Sequence, residues 1–344
     1  MTDTADTSTN SGRALVIGAS GFLGSHVVKA LCARGRRVRA LVRRSSNTAA
    51  LAGLDCEIAY GDVLDRASLS AAMQECSAVY HCVVDTRAWL DDPAPLYRCN
   101  VDGLIHSMDA ALASDIQRFV FCSSIATIGL NENRKPSEVD VFNWHDRAPA
   151  YIRSRVEAEQ QLMRYCREKQ LPGVALCVAN TYGPADIQPT PHGGMLWDAA
   201  RGKAPLALNC GAPWVDVRDA ADALLLAEQR GRVGERYIVA AGYVSQPELY
   251  ARAAALLGNP PPAKLPLAAA YTLAWITQHG ARLLGRKDVK LRVDSVLLSH
   301  IFAELDNTKA RSELAWNPRP LDATLRDAIG WFSAAGKPPS HGTT

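Results

Sequence analysis

Arg13-Ala14-Leu15-Val16-Ile17-Gly18-Ala19-Ser20-Gly21-Phe22-Leu23-Gly24 is the stretch that decides the fold. Ala14 to Ile17 is a short unbroken apolar run, as in a strand buried on both faces. Three glycines follow in the spacing G-x-x-G-x-x-G. Beyond them Leu23, Val27, Val28 and Leu31 recur at helical spacing until Gly35 ends the pattern. A strand, a glycine turn and a helix in this order let the backbone turn sharply. No Cβ then stands between the chain and a pyrophosphate at the helix N-terminus, where free N–H groups and a partial positive charge favour an anion. Gly18, Ser20, Gly21, Phe22, Leu23 and Gly24 are therefore candidate dinucleotide contacts.

The second strand, Val38 to Val42, ends about 20 residues later, where a ribose-reading residue is expected. Arg43 stands there, followed by Arg44, in place of a carboxylate. A guanidinium can grip a 2′-phosphate with two hydrogen bonds, whereas a carboxylate repels it. The sequence thus favours NADP(H) over NAD(H). Asp62-Val63, after a third strand at Ile58 to Tyr60, is placed to meet the adenine edge, and an Asp that caps the next turn is the alternative.

Further along, strands at Ala78–Val84, Arg118–Cys122 and Val174–Val178 alternate with helices at Leu96–Ala113 and Tyr151–Lys169. This alternation predicts an α/β fold, a doubly wound parallel Rossmann sheet over residues 13–180. Proline and glycine then crowd Tyr182 to Pro213, which predicts a loop-rich region opening a smaller C-terminal substrate-binding lobe, 181–335. A segment near 214–240 returns to the first domain. Residues 1–12 and 336–344 read as tails.

Composition bounds the function. The chain has 344 residues, 48% hydrophobic and 21% charged, which suits a globular protein with a sizeable core. A net charge of +3 gives no support for nucleic acid as a partner. The nine cysteines are scattered and contain no C-x-x-C pair, as expected for reduced thiols in a cytoplasm, with no metal site. No apolar run is long enough to span a membrane. Leu265 to Ile276 reads as a core helix of the C-terminal lobe, or alternatively as a flap over a lipophilic substrate with peripheral membrane contact through 265–285.

The glycine fingerprint joins Gly61-Asp62-Val63, Val79-Tyr80-His81-Cys82, Asn100-Val101-Asp102-Gly103, Ser123-Ser124, Tyr151 with Ser154, Tyr182-Gly183-Pro184 and Asp306-Asn307-Thr308-Lys309-Ala310-Arg311. Together these resemble the extended short-chain dehydrogenase/reductase superfamily, that is, the NAD-dependent epimerase/dehydratase superfamily. Within it the chain is most similar to dihydroflavonol-reductase-like and 3β-hydroxysteroid-dehydrogenase-like enzymes. Arg87-Ala88-Trp89 and Asp186-Ile187-Gln188-Pro189-Thr190-Pro191 also resemble the hopanoid-associated sugar epimerase group.

The resemblance implies that Ser124 anchors the substrate oxygen and Tyr151 is the acid/base. It further implies cofactor contacts from Cys82, Ser123, Tyr151, Arg155, Val178 and Asn180, and a homodimer through the helices beginning near Leu96 and Tyr151. The family's lysine, four residues after the tyrosine, is Arg155 here. Helical spacing puts its charge beside the phenol, where it favours the phenolate. An arginine cannot give up its own proton. Two readings stay open: a working reductase or alcohol dehydrogenase acting on a moderately lipophilic carbonyl compound or alcohol, or an epimerase/dehydratase-like enzyme or non-catalytic NADP-binding protein. Asn180, His192 and Trp214 are candidate substrate residues, with a solvent-exposed His192 as the plainer reading. Arg218 is either a substrate-anion contact or the partner of Asp216 or Asp219, and Cys82 and Cys122 read as apolar fillers.

Overall fold

The computed structural model describes residues 12–87, 90, 92–283 and 293–335. The segments 1–11 and 336–344, expected as tails, lie outside them, as do Trp89 and the last residues of the 265–285 stretch. β1 (Arg13–Ile17) leads through the glycine turn into α1 (Phe22–Ala33). Then follow β2 (Val38–Val42), β3 (Glu57–Tyr60), α2 (Arg66–Met73), β4 (Cys76–His81), α3 (Ala94–Tyr97), α4 (Gly103–Ala113), β5 (Arg118–Ser124), α5 (Ala150–Lys169) and β6 (Gly173–Val178). These six strands and β10 (Arg236–Val239) form one parallel sheet in the order β10-β6-β5-β4-β1-β2-β3. The chain moves outward one way from β1 and then the other way from β4. The carboxyl ends of β1 and β4 therefore flank a crevice, the place where such sheets bind ligands.

Both sheet faces are covered, which explains why the strands read as continuous apolar runs. On one face Val27, Val28 and Leu31 of α1 pack with Ala220 and Leu224 of α7 (Val217–Arg230). On the other, Leu69, Leu104, Met108, Ala158 and Leu162 come from α2, α4 and α5. Two strands depart from the sequence reading. β3 is an exposed edge, with Tyr60 53% exposed. β4 stops at His81, so Cys82 to Val84 lie beyond the strand. The helix expected at Leu96–Ala113 is α3 and α4 joined by a π-turn at Arg98–Asp102. That turn carries buried Asn100, whose amide donates to the Asp85 carbonyl and to Ser154 Oγ, both at 3.0 Å.

The proline-rich region is more regular than its composition suggests. β7 (Asn180–Tyr182) follows β6 directly. α6 (Pro191–Ala200) follows β7, with Pro191 at its first position and the Thr190 hydroxyl accepting from Gly193 N at 3.1 Å. A proline costs nothing there, because that N–H has no helical partner. β8 (Leu206–Leu208), β9 (Gly211–Asp216), β11 (Gly242–Ser245), α8 (Gln246–Ala255), β12 (Ala263–Leu265), α9 (Leu267–Leu283), α10 (Val293–His300), α11 (Thr308–Glu313) and α12 (Leu321–Ala334) complete the chain. β9 joins β7 and β11 in a small sheet whose core holds Tyr182, Leu196, Trp197, Trp214 and Phe332. α9 buries Ala270 and Ala274 and exposes Leu273, Trp275 and Ile276. Among the described residues, no helix is long and apolar enough to cross a membrane.

Candidate active site

The glycine turn has the conformation its composition predicts. Gly18 has φ +82°, a left-handed conformation that a side chain would strain. A Cβ on Gly24 would lie 2.2 Å from the Gly18 carbonyl oxygen, so α1 can pack this closely only with glycine there. α1 starts at Phe22 with no side-chain cap from Gly21, which leaves its first N–H groups for an incoming anion. A cleft of about 420 Å³, open to solvent, lies between this turn and the segment 185–190. A dinucleotide pyrophosphate fits this donor set.

At the reacting end, β5 finishes at Ser124, whose Oγ accepts from Ala126 N at 3.2 Å. The hydroxyl proton is thereby free to be donated. α5 packs against the turn that follows, Ile125–Thr127, and presents Tyr151 in its first turn, partly buried beside Ala126 and Ile152. Arg155, one turn on, is only 2% exposed. Its Nη2 donates to the Cys122 carbonyl at 2.5 Å, and its guanidinium lies 5.0 Å from the centre of the Phe121 ring. Nε and Nη1 are buried without a partner, and no carboxylate pairs with this cation among the described residues. Neighbouring His81 is held neutral, its pKa driven to about 3 by burial and by Arg155. Burial pushes the Tyr151 phenol up from its ordinary value, and the Arg155 charge pulls it back.

The remaining candidates divide. Arg43 is exposed at the end of β2 with no ion pair among the described residues, and Arg44 lies 5.0 Å from the Tyr60 ring centre. Asp62 Oδ1 accepts from Leu64 N at 2.9 Å, so one oxygen caps the following turn, and Val63 is buried under Gly103. Val178 ends β6 and Asn180, partly exposed, opens β7. Cys82 and Cys122 are partly exposed, and burial raises both thiols; at Cys122 the Arg155 charge offsets this only in part, leaving it at about 11.

Other side chains are committed elsewhere. Ser123 is buried and its hydroxyl donates to Glu159 at 2.5 Å, which leaves only its backbone for a cofactor. Trp214 is 6% exposed and belongs to the core of the second lobe, because β9 is sandwiched between β7 and β11. His192 sits in α6 rather than a loop, edge-on to Tyr182 at 6.0 Å, and burial lowers its pKa to about 4. Arg218 is bonded to Asp216 at 2.7 and 2.9 Å and paired with Asp327 at 2.7 Å, so it is not free for a substrate anion.

A buried network beneath the site was not foreseen. Glu159, two turns after Tyr151 on α5, accepts from Ser123, from Thr127 at 2.9 Å and from Arg236 at 2.9 Å. Its place four residues after Arg155, on one helix face, was the available signal.

The NAD-dependent epimerase/dehydratase family model matches residues 14–240, which include every element of this site. The chain belongs to that family. It is an extended short-chain dehydrogenase/reductase, a superfamily built on a bound nicotinamide dinucleotide. It is 32% identical over 327 residues to a putative dihydroflavonol 4-reductase of Synechocystis, covering 93% of this chain and 94% of that one. It is 29% identical over 327 residues to sterol demethylase protein B of Methylococcus capsulatus, covering 94% and 98%. Among solved structures it resembles a nucleoside-diphosphate-sugar epimerase from Pseudomonas aeruginosa, with 26% identity, a TM-score of 0.78 and coverage of 94% and 98%. The seven-stranded parallel sheet with helices on both faces is the Rossmann arrangement that these epimerase/dehydratase enzymes share.

Proposed function

We propose that this family member is an NADP(H)-dependent oxidoreductase that interconverts a carbonyl and a secondary alcohol on a moderately lipophilic small molecule. The observation that carries this reading is the buried Arg155 cation, one helical turn from Tyr151 and without a carboxylate partner among the described residues. A bound nicotinamide supplies or accepts the hydride. Tyr151 moves the proton: its O–H is donated to the substrate oxygen in reduction, and its phenolate takes the proton back in oxidation. Arg155 stabilises that phenolate as a fixed charge and takes no part in proton relay. The Ser124 hydroxyl, already an acceptor for Ala126 N, donates to the same substrate oxygen.

The preference for NADP(H) is supported by exposed Arg43, which stands at the ribose end of β2 in place of a carboxylate and makes no ion pair among the described residues. The lipophilic substrate class is supported by the relatives named for a flavonoid and a sterol. Asn180 and His192 are proposed to border the substrate, and a homodimer through α4 and α5 completes the proposal. The purified protein, offered NADPH and a panel of ketones and aldehydes, should consume nicotinamide absorbance. Tyr151→Phe should abolish turnover and leave coenzyme affinity intact. Unchanged turnover in that variant rejects the acid/base assignment.

A further inference from the structure

The cleft at the head of α1 has two walls. One is the glycine turn, with Ser20, Gly21 and Ser25. The other is the segment 185–190, which leaves β7 and enters α6. Among the described residues, Asp186 is the one Asp or Glu that lines this cleft, and no Lys, Arg or His lines it. Asp186 is 1% exposed, and its carboxyl is asymmetrically bonded. Oδ2 accepts from Thr190 N at 2.8 Å and from Thr190 Oγ1 at 2.9 Å, whereas Oδ1 is buried without a partner. The group has no room to retreat toward α6, since a Cβ on Gly193 would lie 2.1 Å from Oδ2.

An ionised carboxylate with one naked, buried oxygen is costly, and an anion arriving on the facing wall adds like-charge repulsion. A proton on Oδ1 removes both costs and creates a donor for the anion. We propose that Asp186 is a positioning residue that takes up one proton from solvent when a dinucleotide pyrophosphate enters the cleft, and in its neutral form ties the 185–190 segment to that anion. This rests on the dinucleotide reading above.

Burial already raises the Asp186 carboxyl to about 6, against the opposing bonds from Thr190. Among the described residues, no other charged side chain lines the cleft. The α1 wall gives Ser20 and Ser25, with His26 behind them, its pKa lowered by burial and its Nδ1 at 2.9 Å from the Phe22 carbonyl. The 47–50 segment gives Asn47, and α6 gives His192, neutral with its pKa at about 4.

Calorimetric titration of the full chain with NADPH and with NADH, in buffers of differing ionisation heat, counts the protons taken up. NADH lacks the 2′-phosphate, which titrates on its own. The wild type should take up about one proton per coenzyme at about pH 7.5 and much less at about pH 5. Its affinity should weaken up to about tenfold per pH unit above about pH 7. Asp186→Asn, which keeps a donor and cannot titrate, should show no uptake at this site and a flat affinity. Coenzyme binding with no proton uptake, or with equal uptake in Asp186→Asn, overturns the proposal and leaves the dinucleotide reading standing. No binding of either coenzyme by the wild type overturns both. Should the variant not fold, difference infrared spectra of the wild type decide. A protonated-carboxyl band that grows on NADH binding supports the proposal, and its absence refutes it.

Discussion

Arg155→Met removes the cation beside Tyr151 and keeps a side chain of similar length. Helix neighbours four apart have Cβ atoms about 6 Å from each other. At an effective dielectric constant of about 20, a guanidinium attracts a phenolate across about 6 Å by roughly 3 kcal/mol. That corresponds to about two pKa units on the phenol. In the direction of alcohol oxidation the phenolate is the active form. The rising limb of the pH–rate profile should therefore move about two units to the alkaline side, and the rate at a fixed pH below that limb should fall about 100-fold. Stability should move the other way. The buried guanidinium makes one hydrogen bond, leaves Nε and Nη1 unpartnered, and faces no carboxylate among the described residues. Exchanging such a charge for a packed apolar side chain is commonly neutral or stabilising by about 1–4 kcal/mol. The assay pairs nicotinamide absorbance, using the alcohol product of whichever panel compound turns over, with calorimetric melting in the absence of coenzyme. A pH limb that stays in place refutes the electrostatic role. A lowered melting temperature refutes the claim that the cation is held at a cost to the fold.

Arg43→Ser should weaken NADPH by about 10–100-fold, the worth of one charge-assisted contact, and barely affect NADH. An unchanged NADPH-to-NADH affinity ratio would contradict the 2′-phosphate assignment. Gly24→Ala, ordinarily worth about 1 kcal/mol to a helix, should here cost about 1–3 kcal/mol and at least about tenfold in coenzyme affinity, because the new Cβ meets the Gly18 carbonyl at 2.2 Å. Gly21→Ala, at 3.3 Å from the same oxygen, should disturb the melting temperature less, and equal melts for the two variants would count against this geometry. Glu159→Ala removes the carboxylate shared by Arg236, Ser123 and Thr127 and leaves the Arg236 charge with carbonyl partners alone, for an expected loss of about 3–5 kcal/mol seen in denaturant melts. A loss below about 1 kcal/mol would mean that water replaces the carboxylate.

The parallel sheet and its glycine turn were legible because both depend on local chemistry. Apolar runs, a left-handed Gly18 and a close-packed Gly24 each leave a direct mark on the sequence. What was misread depends on distant partners. Pro191 looks like a breaker until Thr190 is seen to cap a helix around it. Trp214 looks like a pocket wall until β7 and β11 close over β9. Ser123 and Ser124 are adjacent and chemically identical, yet strand alternation sends them to opposite sides, one hydroxyl to Glu159 and the other to the Ala126 N–H.

Arg155 combines both kinds of information. Its spacing from Tyr151 was enough to place a positive charge beside the phenol. Only the packing shows that the described residues send no acid to neutralise it, although Glu159, one turn further along the same helix, is spent on Arg236 at 2.9 Å. A lysine in such a place could lower its pKa and shed its charge, whereas a guanidinium cannot. The substitution therefore fixes the cation at every working pH, so the pH response of the proposed acid/base pair falls to Tyr151 alone.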